Sequence, residues 1–227
     1  MVCAAALAVE RAFLGQKAWF SFVAENVGMP DVRAEDLWVG IGTRSVFGPL
    51  SFSVNRNTTM AIVGPGGSGK STLLKALAGK LPPEMWMRGE LAVEPEPLAF
   101  LTQKSNSEGE DESLRESFVP SSKRMAEPGR RIAHFRSVLA LDARILLLDE
   151  PEARLPESYY DHVEQELIRI RGRRTVILVT HNLSLTERIS DWMMLLIDGE
   201  VIEQGETARI FSSPAKQRTL QFIRMGS

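Results

Sequence analysis

The chain has 227 residues, 44% hydrophobic and 25% charged, enough apolar material for one sizeable core. Lys and Arg number 27 against 29 Asp and Glu, a formal net charge of −2, so no overall field draws in polyanions and a broad nucleic-acid or anionic-membrane binder is disfavoured. Cys3 is the single cysteine, which excludes an intrachain disulfide and a cysteine-rich metal cage and suits a reducing compartment.

No apolar stretch approaches the ~20 residues of a membrane-crossing helix. The start, Met1 to Val9, lacks the basic segment of a secretory signal. Leu7, Phe13, Leu14, Phe20 and Val23 suggest a helix, packed on the body or used in an oligomer contact, so residues 1–30 are read as an N-terminal extension ahead of a domain over 31–227. Leu37 to Val54 reads as an antiparallel strand region. Beyond it, four short apolar runs, Met60 to Val63, Leu98 to Thr102, Ile145 to Leu148 and Val176 to Thr180, alternate with helical segments. That alternation predicts an α/β fold with a mostly parallel core sheet covered on both faces.

The helices are expected over Ser71 to Ala78, with Leu73, Leu74 and Leu77 on one face, and from near Gly129, with Ile132, Phe135 and Leu139. A third spans Ser158 to Arg171, and Ser184 with Glu187 signals a capping box for a short helix after His181. Trp192 to Ile197, Asp198-Gly199 and Glu200 to Glu203 read as a hairpin, and the acidic, aperiodic Ser105 to Glu116 as a mobile linker.

Gly64-Pro65-Gly66-Gly67-Ser68-Gly69-Lys70-Ser71 has the spacing G-x-x-x-x-G-K-[ST] between a predicted strand and a predicted helix. Glycines let such a loop curl its backbone N–H groups inward onto phosphate oxygens, with the following helix adding its positive end. Lys70 bridges the β- and γ-phosphates, and the Ser71 hydroxyl is a ligand for Mg²⁺. The strand Ile145 to Leu148 ends in Asp149-Glu150, where the first carboxylate can hold Mg²⁺ and the second can polarise an attacking water.

In this order the pieces resemble the ATP-binding cassette (ABC) ATPases: the loop over Gly64 to Thr72, Gln103 after a strand, Leu146 to Pro151 as the "LLLDEP" stretch, and Val179-Thr180-His181-Asn182. The resemblance implies a nucleotide-binding subunit in which Gln103 senses Mg²⁺ and the γ-phosphate, Glu150 is the general base and His181 contacts the γ-phosphate. It also implies a P-loop domain over 31–227, ATP and Mg²⁺ as ligands, and a head-to-tail pairing with a second ABC ATPase chain. Integral membrane permease subunits are the further partners, with no nucleic acid, and the place is cytoplasmic, on the inner face of the inner or plasma membrane. The C-terminal part, through Gly205-Glu206-Thr207 and Ile210 to Pro214, looks most like the ATPase subunit of phosphate importers.

Several positions depart from the family pattern. Arg124-Met125-Ala126-Glu127-Pro128 stands where the family's LSGGQ signature would lie, with an acid and a residue lacking an N–H. The segment about 104–130, in place of the family's helical subdomain, is short. Ile41 stands where an aromatic would stack on adenine, leaving Trp38 or Phe47 as substitutes, and Pro156 replaces an expected aspartate. The expected function is therefore an Mg-ATP-binding ATPase subunit that drives or gates a membrane transport complex through ATP-dependent dimerisation and hydrolysis, of low activity without a partner. A homodimer would oppose two altered signatures, so a heterodimer is preferred. The alternative is an ATP-binding assembly or regulatory subunit that hydrolyses weakly.

Overall fold

The computed structural model describes residues 30–94, 97–102 and 127–226. The expected N-terminal helix, the linker at Ser105 to Glu116, Gln103 and Arg124 to Ala126 lie outside the described residues.

Strands β1 (Val32–Ile41), β2 (Arg44–Val54) and β4 (Met85–Val93) form an antiparallel sheet in the order β2-β1-β4. A second sheet runs β5 (Leu98–Leu101), β6 (Ile145–Asp149), β7 (Thr175–Val179), β3 (Thr59–Val63), β8 (Trp192–Ile197), β9 (Glu200–Glu206). Its first five strands are parallel, and β9 pairs antiparallel with β8. The helices are α1 (Lys70–Leu77), α2 (Glu127–Ala140), α3 (Tyr160–Ile170), α4 (Leu183–Ile189), α5 (Thr207–Ser212) and α6 (Gln217–Met225). The α/β architecture with antiparallel N-terminal strands is the one expected, and β4 is an addition to it.

Side-chain alternation explains the layers. Every residue of β6 and β7 is buried, so both strands are nearly continuous apolar runs, polar only at Asp149 and Thr175 at their ends. Ile145, Leu147, Ile177 and Val179 point to one face, where they pack with Leu73, Leu74 and Leu77 of α1 and with the inner residues of the antiparallel sheet. Leu146, Leu148, Val176 and Leu178 point to the other, against Phe135 of α2, Val163 and Leu167 of α3 and Leu185 of α4. Ile132, Phe135 and Leu139 are all buried, as their helical spacing requires.

The turns follow local chemistry. Asp198 and Gly199 have φ of 51° and 79°, the two positive values that a tight hairpin between β8 and β9 demands. The capping expectation needs correction: α4 is capped by Asn182, not Ser184. The extended backbone of Asn182 lets its Oδ1 accept the N–H of Leu185 at 2.9 Å, whereas Ser184 already lies inside the first turn.

Candidate functional site

The parallel strands deliver their carboxyl ends to one edge. β3 leads into the glycine-rich loop, β6 into Asp149-Glu150 and β7 into Thr180-His181, with β7 lying between the other two. Strand order reverses around β3, and such switch points open a crevice for ligands.

The loop has no room for side chains at its base and open space at its crown. Gly64 has φ of 150°, and a Cβ there would lie 1.9 Å from the carbonyl oxygen of Leu196. At Gly66 and Gly67 a Cβ would meet nothing within 4 Å, so these residues line an open cradle. Gly69, with φ of 100°, turns the chain into α1 beside the buried Phe47. Ser68 is buried, its N–H 3.4 Å from the Pro65 oxygen, and Thr72 is half-buried in α1.

Lys70 is folded into this loop. Its Nζ donates to the carbonyl oxygens of Gly64 at 2.8 Å and Pro65 at 2.7 Å, and more weakly to Ser68 Oγ at 3.4 Å. Burial pulls its pKa below the ordinary lysine value, an effect that the carboxylates of Glu150 and Asp149 oppose. Ser71 Oγ donates to Asp149 Oδ1 at 3.0 Å. Burial pushes the Asp149 carboxyl up, with the Ser71 hydroxyl pulling the other way and Glu150 adding to the rise.

Glu150 has φ of 47°, a left-handed backbone that costs a non-glycine residue roughly 1–2 kcal/mol. Its N–H still makes the last rung to β7, donating to the Val179 oxygen at 2.9 Å. The kink lets the side chain leave the sheet, and Oε1 sits 3.7 Å from Nδ1 of the half-exposed His181. Lys70, Ser71, Asp149, Glu150 and His181 are thus brought together, while Gln103 lies outside the described residues. The set fits a nucleoside triphosphate with a hard cation: an open glycine cradle, one buried ammonium, and adjacent hydroxyl and carboxylate oxygens.

For the base, Phe47 is buried against the loop, whereas Trp38 is 36% exposed on the outer face of the antiparallel sheet, alternating with the buried Leu37 and Val39. Ile41 is 41% exposed.

Sequence reading missed several side chains here. Arg131 and His134 of α2 line a small cleft together with Asp149 and Glu150, and their three-residue spacing on a helix is a signal that could have found them. Glu152 is 1% exposed and takes a hydrogen bond from the Thr180 hydroxyl, while its Oε2 has no hydrogen-bond partner among the described residues. Burial pushes this carboxyl up, and the Thr180 bond only partly offsets the rise. A cavity of about 250 Å³ opens beside it, lined also by Glu157, Asp161, Glu164 and Arg188.

A family model described as ABC transporter matches residues 47–126, from Phe47 through the loop and α1. The phosphate import ATP-binding protein PstB of Pyrobaculum aerophilum is 26% identical over 246 residues, covering 86% of this chain and 98% of that relative. The chain is similar to ATP-binding cassette proteins, by the family model over residues 47–126 and by this relative over almost its whole length. Another ABC relative, the phosphate import ATP-binding protein PstB 2 of Mycobacterium tuberculosis, is 40% identical over a shorter stretch of 85 residues, 37% of this chain and 31% of its own. Among solved structures, a nucleotide-free ATP-binding cassette from an ABC transporter shares the fold with a TM-score of 0.67 at 16% identity, over 86% of this chain and 98% of its own. The ADP conformation of an ATP-binding cassette of an ABC transporter does so with 0.66 at 17%, over 88% and 100%. These ABC structures carry the P-loop architecture that the order of motifs implied.

Proposed function

We propose that this chain is the Mg-ATP-binding ATPase subunit of a membrane transport complex of the import type, working by ATP-dependent pairing with a second ABC ATPase chain and by hydrolysis. The observation that carries this reading is the meeting of Lys70, Ser71, Asp149, Glu150 and His181 at one sheet edge beside an open glycine cradle. The 98% coverage of an importer ATPase by the chain supports the transport assignment.

In this reading the backbone of Gly66 to Gly69 and the ammonium of Lys70 receive the phosphates. Lys70 exchanges its contacts with the Gly64 and Pro65 oxygens for phosphate oxygens, a stronger acceptor for a buried cation. Ser71 and Asp149, with Gln103, would hold Mg²⁺, which when bound would supply neutralising charge for the phosphoryl oxygens. Glu150 takes the proton of the attacking water, and His181 stabilises charge on the γ-phosphate. Both side chains are close enough to act on the same group, which suits in-line displacement.

The departures at Arg124 to Pro128 favour a partner unlike this chain. ATP on Lys70 would then face an intact signature, whereas two copies would each present an acid at Glu127 and the missing N–H of Pro128. The membrane-facing place follows from permease partners, and no described helix is long and apolar enough to cross a bilayer.

The deciding experiment is Mg-ATP binding and steady-state hydrolysis by the purified chain, with Lys70→Ala and Glu150→Gln as controls and particle size measured with and without ATP. The expected result is binding that Lys70→Ala abolishes, with turnover low until a second ABC ATPase chain is added. Binding that survives Lys70→Ala overturns the site, and unchanged turnover in Glu150→Gln overturns the base.

A further inference from the structure

The adjacent strands β6 and β7 end side by side, with Asp149 opposite Val179 and a last rung from the Glu150 N–H to the Val179 oxygen at 2.9 Å. Past that rung both chains leave the sheet, and the ladder no longer holds the Glu150 side chain against His181. Beyond this point a hydrogen bond from the Thr180 hydroxyl to Glu152 Oε1 also joins the two loops.

The same hydroxyl oxygen has a second neighbour. The N–H of Asn182 can only donate, and it donates to the same Thr180 oxygen at 2.9 Å. The hydroxyl hydrogen of Thr180 is donated to Glu152 Oε1. One oxygen atom thus ties the loop that begins at Glu150 to the residues on both sides of His181. Asn182 is held in turn by its cap on the Leu185 N–H at 2.9 Å, so His181 is suspended between a clasp and a helix start.

Stability alone does not account for this arrangement. Glu152 is 1% exposed and its second oxygen has no hydrogen-bond partner among the described residues, and apolar packing at such a point is commonly as stable or more so. We infer that Glu152 is a positioning residue, which through its bond with Thr180 sets the His181 imidazole against the Glu150 carboxylate. This rests on reading Glu150 and His181 as the working pair of the proposed ATPase.

The test follows the imidazole itself, in the full-length chain without nucleotide. The chain has 3 histidines, and the carbon-bound imidazole proton signal of His181 is assigned by its disappearance in His181→Asn. Glu150→Gln marks where that signal moves when the pair is separated. Glu152→Ala and Thr180→Val, the latter nearly isosteric, are each expected to shift it the same way. Their combination is expected to shift it no further than either alone, since both break one bond. Glu152→Gln and Thr180→Ser, which keep the acceptor and the donor, are expected to restore the original position. In hydrolysis, Thr180→Val is expected to lower kcat by up to about a hundredfold with KM for ATP unchanged, the pattern of a misplaced group. An unmoved His181 signal in a folded Thr180→Val chain overturns the inference, as does a shift in Glu152→Gln equal to that in Glu152→Ala. Wild-type turnover in Glu150→Gln overturns the underlying reading instead, whatever the spectra show.

Discussion

Ser71 and Asp149 stand 78 positions apart in the chain and meet through a 3.0 Å hydrogen bond that joins the start of α1 to the end of β6. The contact follows from strand alternation. Asp149 has the parity of Ile145 and Leu147, which face α1, so the last residue of β6 points at the first turn of that helix. Thr180 has the parity of Val176 and Leu178, which face α3 and α4, so it meets Glu152 on the opposite side. Glu150, one residue past β6, and His181, two residues past β7, bridge the two faces.

Removing the ammonium of Lys70 deprives the loop of its single buried cation at the cradle. A hydrogen bond from a charged group contributes about 1.5–3 kcal/mol, so Lys70→Ala is expected to weaken ATP binding by roughly ten- to a hundredfold or more. Titration with a fluorescent ATP analogue checks this. An affinity within twofold of the wild type would place the phosphates elsewhere.

Two loop glycines are expected to respond in opposite ways to the same methyl group. Gly64→Ala drives a Cβ into the Leu196 carbonyl at an unfavourable φ and is expected to cost about 3 kcal/mol or more of stability. Gly66→Ala has nothing within 4 Å, so its stability stays within about 0.5 kcal/mol of wild type, while its methyl group enters the cradle and ATP affinity falls. Thermal unfolding beside ATP titration separates the two effects.

The buried carboxyl of Glu152 makes stability pH-dependent in a definite direction. Burial raises its pKa in the folded chain, so the folded state holds the proton more tightly than the unfolded state does. Stability then falls as pH rises from the ordinary carboxylate range through the raised value. Glu152→Gln is expected to increase stability at neutral pH, and the gain is expected to shrink towards zero at about pH 4. Urea denaturation of both chains at the two pH values measures it, and an equal gain at both would exclude a buried charge as the cause.

Asn182→Ala removes the cap of α4 next to His181. The expected loss is about 1 kcal/mol, read from chemical denaturation. Ser184→Ala is expected to change little, because Ser184 lies inside the helix rather than at its cap.

Much of the site is legible in the order of residues. The loop over Gly64 to Ser71 is a contiguous motif whose function lies in its own backbone, so spacing is sufficient to find it. The runs that form β3, β5, β6 and β7 stand out to within a residue or two, because fully buried parallel strands are nearly continuous apolar runs. Strand β4 does not. Met85 to Val93 is mostly exposed, shows no clean alternation, and becomes a strand by pairing with β1 some fifty positions away, with a register shift between Glu35 and Trp38. Glu152 escapes notice for a related reason. A third acid within Asp149-Glu150-Pro151-Glu152 reads as a solvated strand end, and only the fold, which places it beside α3 and α4, buries it.

Spacing along a few consecutive residues is enough to specify the phosphate-binding loop, the carboxylate pair and the α/β class. Folding in three dimensions was needed to place β7 between β3 and β6, to bring Asp149 to Ser71 and to bury Glu152 against Thr180. These outcomes depend on pairings across 28 to 117 positions, and the energy of a buried polar group is set by neighbours that local sequence does not name.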